Sequence, residues 1–195
     1  MNYPLISEYI EAIKSAEENF ATLTNLRPVL DNDGNPIMSS GNFAVVFKML
    51  DIATGVFYAL KCFTREQYGR SEAYHLISNE LSFIKKDNHN YFVGIKYLEE
   101  ELYVSSKVSN HNEYPVLLMD WVEGVTLDKY IKQFVFEDTL SVYAIMNLTL
   151  DFLDFARWMS LQEIAHGDIK PDNIIITENH KLVLVDYDGM YVPKM

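Results

Sequence analysis

The amino-acid sequence predicts an α+β fold in two lobes, and three observations carry that reading. Hydrophobic spacing is helical over residues 5–20, 65–86 and 139–161 and strand-like in most of the rest. The strands cluster in blocks rather than alternating singly with helices, which is the segregated order of an α+β protein. With 195 residues, 49% of them apolar and 23% charged, the chain is globular in composition and sized for one domain or two small lobes sharing a core.

Residues 5–20 set Leu5, Tyr9, Ala12, Ile13, Ala16 and Phe20 near helical spacing, with acidic residues between them. They read as a docking helix ahead of the main fold. Over residues 26–63 the period changes to two. Val29-Leu30, Asp31 to Asn35 and Ile37-Met38 read as strand, turn, strand. The acidic turn resembles the opening of a calcium loop. However, Pro36 stands where that loop needs glycine and Asn42 where it needs glutamate, so a hairpin turn is the expectation. Residues 43–50 and 56–63 form two further strands joined by a turn from Asp51 to Gly55.

Helix returns over 65–86, opened by a capping box of Thr64 and Gln67, with Ala73, Ile77, Leu81 and Ile84 as its buried stripe. Glu80 points toward the core side of that helix. A carboxylate there either meets a cation or reaches solvent from the edge. Residues 92–104 and 114–122 are strand-like, and Glu99-Glu100-Glu101 reads as a solvated turn. Residues 139–161 form an apolar helix with Ile145, Leu148, Phe152, Phe155 and Met159 in its core stripe, and Trp158 reads as core too. The end of the chain is short strands and turns: Ile174 to Ile176, a turn at Glu178-Asn179-His180, then Leu182 to Val185.

Charge and composition narrow the function classes. A net charge of −12 repels phosphate backbones and anionic lipid heads, so neither nucleic acid nor a membrane surface is an expected partner. Cys62 is the only cysteine, which excludes an intrachain disulfide and fits a reducing compartment. The five histidines are scattered without a zinc-binding spacing. The N-terminus lacks the basic and apolar regions of a signal peptide, and no apolar run reaches the ~20 residues that span a bilayer. The expectation is a soluble, cytoplasmic protein.

The strongest local signal is His166-Gly167-Asp168-Ile169-Lys170-Pro171-Asp172-Asn173, which follows the long helix and precedes an apolar strand. Thirteen residues beyond Asn173 comes Asp186-Tyr187-Asp188-Gly189, directly after another apolar strand. Such a set suits phosphoryl transfer. One carboxylate orients an attacking hydroxyl and takes its proton. An amide oxygen and a second carboxylate hold Mg²⁺, and a lysine neutralises charge on the transferred group.

On these residues the chain resembles the protein kinase family over roughly residues 27–190. Asp168, Lys170 and Asn173 match the catalytic-loop pattern H-R-D-x-K-x-x-N, and Asp186 matches the metal-binding aspartate of D-F-G. Tyr58-Ala59-Leu60-Lys61 matches V-A-I-K. Ser39 to Val46, including Gly41, Ala44 and Val46, matches the glycine-rich loop. Leu118 to Gly124 resembles the hinge. The resemblance implies that Lys61 reaches the nucleotide phosphates and pairs with Glu80 of helix C. It makes Met119 the gatekeeper, with the Asp120 carbonyl and Val122 amide meeting adenine.

It further implies ATP and Mg²⁺ as cofactors, a protein substrate phosphorylated on serine or threonine, and Asp168 and Lys170 as catalytic residues. The fold implied is a small β-rich N-lobe with one helix C plus the beginning of a helical C-lobe. Its expected bounds are 1–25 for an N-terminal helical extension, 26–122 for the N-lobe and 123–195 for the partial C-lobe, which holds the catalytic and metal-binding loops.

The sequence departs from the family pattern at four places. Ser39 and Ala44 replace the outer glycines of the loop, which costs backbone flexibility. Gly167 replaces the arginine that reads an activation-loop phosphate, and the His-Gly-Asp triplet also resembles small-molecule phosphotransferases. Asp188 stands at the glycine of D-F-G and Gly189 follows one position later: either the loop shifts register, or Asp188 offers a second carboxylate to a metal, or it faces water in an Asp-Gly turn. Last, the sequence runs only six residues past Gly189, so the activation segment and later helices of the large lobe are expected to be missing. Helix 139–161 and loop 166–173 would then expose apolar surface. A truncated chain, a partner chain or oligomer completing the lobe, and a reduced pseudokinase-like binding module all fit that departure.

Overall fold

The computed structural model describes residues 2–84, 91–137 and 142–193. The chain divides into two compact units, residues 1–75 with 95–121 and residues 76–94 with 122–195.

The first unit is built on a six-stranded antiparallel sheet. Its elements are α1 (Ile6–Lys14), α2 (Ala16–Asn19), β1 (Leu26–Pro28), β2 (Met38–Ser40), β3 (Ala44–Asp51), β4 (Phe57–Phe63), the first part of α3 (Arg70–Ile84), β5 (Ile95–Tyr103) and β6 (Glu113–Asp120). The strand order is β1-β3-β4-β6-β5, with β2 also paired to β3. The turn expected over Asp31 to Asn35 is present: its arms meet at the antiparallel bridge Leu30↔Pro36, where the Ile37 N–H donates to the Val29 carbonyl and the Asp31 N–H to the Asn35 carbonyl at 2.8 Å each, while the flanking strands β1 and β2 both add to β3. The Asp31 carboxylate holds the intervening turn, accepting from the backbone N–H groups of Asp33 and Asn35 at 2.9 Å each.

Alternation along β3, β4 and β6 gives the sheet two chemically different faces. One face presents Val45, Phe47, Met49, Leu60, Cys62, Tyr114 and Val116, and helices α1 and α2 cover it with Tyr9, Ala12, Ile13 and Ala16, joined by Phe20 just beyond α2. The predicted docking helix is thus two short helices packed into a core. Two carboxylates fasten this segment. Glu8 accepts from the backbone of Leu5 and Lys107 and from the Ser106 hydroxyl. Glu101 accepts from the N–H groups of Thr22 and Leu23 at 2.8 and 2.7 Å and from the Thr22 hydroxyl at 2.7 Å. Glu101 corrects the sequence expectation: residues 99–101 lie inside β5, not in a solvated turn. A register shift between Leu98 and Leu102, with Glu100 at φ +46°, turns Glu101 into the interior.

Helix α3 starts at Arg70, later than the capping box expected at Thr64 and Gln67. Gly69 at φ +72° breaks the helical path just before it, a conformation that glycine adopts without strain. The buried stripe is Tyr74, Ile77, Leu81 and Ile84, with Ala73 half-buried beside it. The helix ends expected at 85–86 and 139–141 lie outside the described residues.

The second unit takes the later part of α3, then β7 (Gly124–Thr126), α4 (Leu127–Glu137), α5 (Val142–Met159), β8 (Ile174–Thr177) and β9 (Leu182–Leu184). The three strands form an antiparallel sheet in the order β7-β8-β9. Of the stripe expected to be core in α5, only Phe155 is buried; Ile145 and Phe152 are 49% and 37% exposed. Phe155 is packed by Tyr91, whose ring centroid lies 5.2 Å away, whereas the preceding turns of α5 keep Val142, Tyr143, Met146 and Leu150 exposed. Hydrophobic spacing marks which side of a helix is apolar, and burial also needs neighbours to cover it.

Candidate active site

Each unit carries one part of the sequence-derived set. In the first, Ala44, Val46, Ala59, Lys61 and Met119 share the sheet face opposite α1 and α2. Cross-strand pairing puts Val46 and Leu117 beside Lys61, and Met119 beside Ala59. Strand alternation and antiparallel register bring them together, although they are spread over 76 positions. Lys61 is only 5% exposed. Gly41 lies in the loop between β2 and β3, which closes through the Gly41 N–H to the Ala44 carbonyl at 2.9 Å. Ser39, at one of the missing glycines, is an ordinary ladder position opposite Val46. Asp120 ends β6, and the next residue, Trp121, donates its N–H to Phe57.

The remaining residues belong to the second unit: Glu80 on α3, half-buried, then Val122, Asp168, Lys170, Asn173 and Asp186. Lys61 and Glu80 therefore fall in different units. In the loop 166–173, one Asp168 carboxylate oxygen accepts from Lys170 Nζ at 2.5 Å and from Asn173 Nδ2 at 2.8 Å. Asn173 Nδ2 also donates to the Asp168 carbonyl at 2.9 Å, so its Oδ1 is left as an acceptor. The Lys170 hydrogen bond, helped by Asn173, holds the Asp168 carboxyl below its ordinary range; the same bond raises Lys170.

His166 ties this loop to the segment bearing Asp186. Its Nδ1 accepts from the Asp168 N–H at 3.4 Å, so the ring proton sits on Nε2, which donates to the Val185 carbonyl at 3.1 Å. On the other side, the Val185 N–H donates to the Asn173 carbonyl at 3.0 Å, and Ala165 and Tyr191 exchange two backbone hydrogen bonds. Asp186 itself adopts φ +68°. The next residue, the fully buried Tyr187, is anchored by its hydroxyl, which donates to the Leu184 carbonyl at 2.8 Å and accepts from the Val93 N–H at 2.9 Å. Sequence reasoning missed Tyr187, because a tyrosine in a short motif gives no sign of its two backbone partners.

The same geometry explains two departures from the family pattern as one. Gly167 has φ +79°, and a Cβ placed there would overlap the carbonyl oxygen of Gly189. Only glycine serves at 167 while the Gly189 backbone approaches this closely. Asp188 and Gly189 form a turn, closed by the Met190 N–H to the Tyr187 carbonyl at 3.0 Å.

Burial holds His166 below the ordinary histidine value, so the fold favours the neutral ring. The unfolded chain then takes up a proton first as pH falls, and the stability that His166 contributes above that value is lost on acidification. Chemical denaturation between about pH 7 and pH 5 should show a shallower loss in His166→Asn than in the parent chain.

A profile of the protein kinase domain matches residues 35–190. Among curated proteins, a serine/threonine-protein kinase of Drosophila simulans is 30% identical over 141 residues, covering 72% of this chain and 17% of that protein. The inhibitor of nuclear factor kappa-B kinase subunit beta of Bos taurus is 26% identical over 155 residues, 77% of this chain and 20% of its own length. Serine/threonine-protein kinase DCLK2 of Homo sapiens is 29% identical over 149 residues, 73% and 17% respectively. The chain thus spans about a fifth or less of the length of these relatives.

Proposed function

The chain belongs to the protein kinase family, and from that premise we propose an ATP- and Mg²⁺-dependent phosphotransferase that acts on serine or threonine hydroxyls of a protein. The observation that carries this reading is the hydrogen-bonded set Asp168, Lys170 and Asn173, joined through His166 to the residue before Asp186. Lys170 two positions after Asp168 supports a serine/threonine substrate. The net charge of −12 and the lone, unpaired Cys62 support a cytoplasmic setting without nucleic-acid partners. Among the described residues no helix is long and apolar enough to cross a membrane.

In this reading Asp168 orients the substrate hydroxyl and takes its proton. The hydroxyl oxygen bonds to the γ-phosphorus as the bond to the β–γ bridging oxygen breaks, leaving ADP. Lys170 neutralises charge on the transferring group. Lys61 orients the α- and β-phosphates. Ala44, Val46, Ala59 and Met119 line the adenine side, the Asp120 carbonyl and Val122 amide meet its edge, and Gly41 lets the loop approach the phosphates.

The donor set fits magnesium. Asn173 Oδ1 and the Asp186 carboxylate are hard oxygen ligands, and no group of three acidic, histidine or cysteine side chains able to hold a metal occurs among the described residues. Such a site needs nucleotide phosphates to complete it, as Mg²⁺ commonly does. When bound, the metal neutralises phosphate charge.

The test is a thermal melt of the chain with and without Mg²⁺·ATP. Ligand at about 100 times its dissociation constant adds roughly 2.7 kcal/mol, a shift of several degrees at about 2–4 °C per kcal/mol. The shift should need the metal and vanish in Asp186→Asn. A cooperative melt without any shift would overturn the nucleotide reading.

A further inference from the structure

We propose that Tyr3, Tyr9 and Arg70 form a positioning element that fixes the end of β4, two residues beyond Lys61, against the start of α3. The proposal assigns a role to the N-terminal segment, which lies outside the kinase-matched residues 35–190, and it rests on the nucleotide-orienting role read above for Lys61.

Phe63 is the meeting point. Its backbone carbonyl accepts from the hydroxyl of the fully buried Tyr9 at 2.7 Å. Its ring carries the Arg70 guanidinium, 4.0 Å from the centroid. Arg70, the first residue of α3, is 6% exposed. It donates from Nη2 to the Arg65 carbonyl at 2.6 Å and from Nη1 to the Tyr3 hydroxyl at 3.1 Å. Tyr3 in turn rests 5.9 Å from Tyr114, which contacts Tyr9 at 6.3 Å, closing a ring of contacts.

Arg70 makes no ion pair among the described residues, and its Nε is buried without an acceptor. A buried cation without a counter-ion is a poor choice for stability, since an apolar side chain would fill the space at lower cost. The guanidinium instead supplies direction. Its planar fork meets two oxygens while its face lies on a ring, a combination that an ammonium cannot reproduce. Burial raises the Tyr9 hydroxyl far above its usual value, so it stays a donor at working pH.

The experiment uses the full chain with Arg70→Lys, Tyr3→Phe and, as control, Glu11→Gln in an exposed surface pair. Amide hydrogen exchange is measured at residues 61–63 and 70–75 and over β5. Exchange at the two segments should rise about tenfold in Arg70→Lys and about threefold in Tyr3→Phe, with β5 and the control unchanged. In phosphotransfer assays kcat should fall about tenfold in Arg70→Lys while the KM for ATP stays within about twofold. Unchanged exchange at both segments would overturn the proposal, and so would a uniform rise through the first unit. If Arg70→Lys does not fold, Tyr3→Phe, which loses one hydroxyl, decides alone. A parent chain without transfer activity would sink the phosphotransferase reading, and the exchange result would still decide the positioning element.

Discussion

Gly167→Arg, which would restore the arginine of the family motif, is expected to lower the melting temperature by on the order of 10 °C. Two costs add. The backbone at 167 sits at φ +79°, where a side chain is strained, and the new Cβ overlaps the Gly189 carbonyl. Together they should remove about 3–5 kcal/mol, a large part of the roughly 5–15 kcal/mol that holds a typical domain. Gly167→Ala should show most of the loss, because the Cβ causes it and not the guanidinium. Thermal denaturation by circular dichroism measures both. Variants melting within two degrees of the parent would mean that loops 166–173 and 185–191 relax apart at little cost, and the account of the paired glycines would fall.

Asp168→Ala is expected to lower kcat by about 10³-fold or more, within the range of losing a positioned base, while keeping the Mg²⁺·ATP melting shift. The separation follows from the hydrogen bonds. Removing the carboxylate frees Lys170, but Asn173 still donates to the backbone carbonyl of residue 168 and keeps its Oδ1 available. The pH profile gives a second check. Since Lys170 holds Asp168 below the ordinary carboxylate range, this proposed base stays ionised to lower pH, and the acid limb of the rate profile should lie correspondingly low. Lys170→Met should move that limb upward. A limb unmoved by that change would remove Asp168 as the titrating base.

Much of the strand framework was legible because alternation is a local signal. β3, β4, β8 and β9 fall within a residue or two of the runs read from sequence. The family could be read because its polar residues keep their order and separations along the chain. What escaped depended on distant partners. Three consecutive glutamates read as solvated, yet Glu101 is buried because Thr22 and Leu23, nearly 80 positions earlier, bring it three donors. The start of α3 was placed too early because a capping pattern at Thr64 and Gln67 says nothing of the left-handed turn at Gly69. In α5 the apolar stripe was visible, but its exposure was not, since burial belongs to neighbours as well as to the helix. Gly167 and the shifted Gly189 were read as separate departures, and only backbone proximity reveals them as one adaptation.

The cover laid by α1 and α2 over the sheet also governs the redox chemistry of the chain. Cys62, the one thiol, lies fully buried beneath that cover, and burial pushes it well above the usual thiol range. Thiolate, not thiol, reacts with oxidants and alkylating agents. The intact chain should therefore be inert to such reagents and unable to form disulfide-linked dimers. A chain trimmed to residues 35–190 would lose both helices, open Cys62 to solvent and become oxidation-sensitive, so its handling under air would report on the N-terminal cover before any activity is measured.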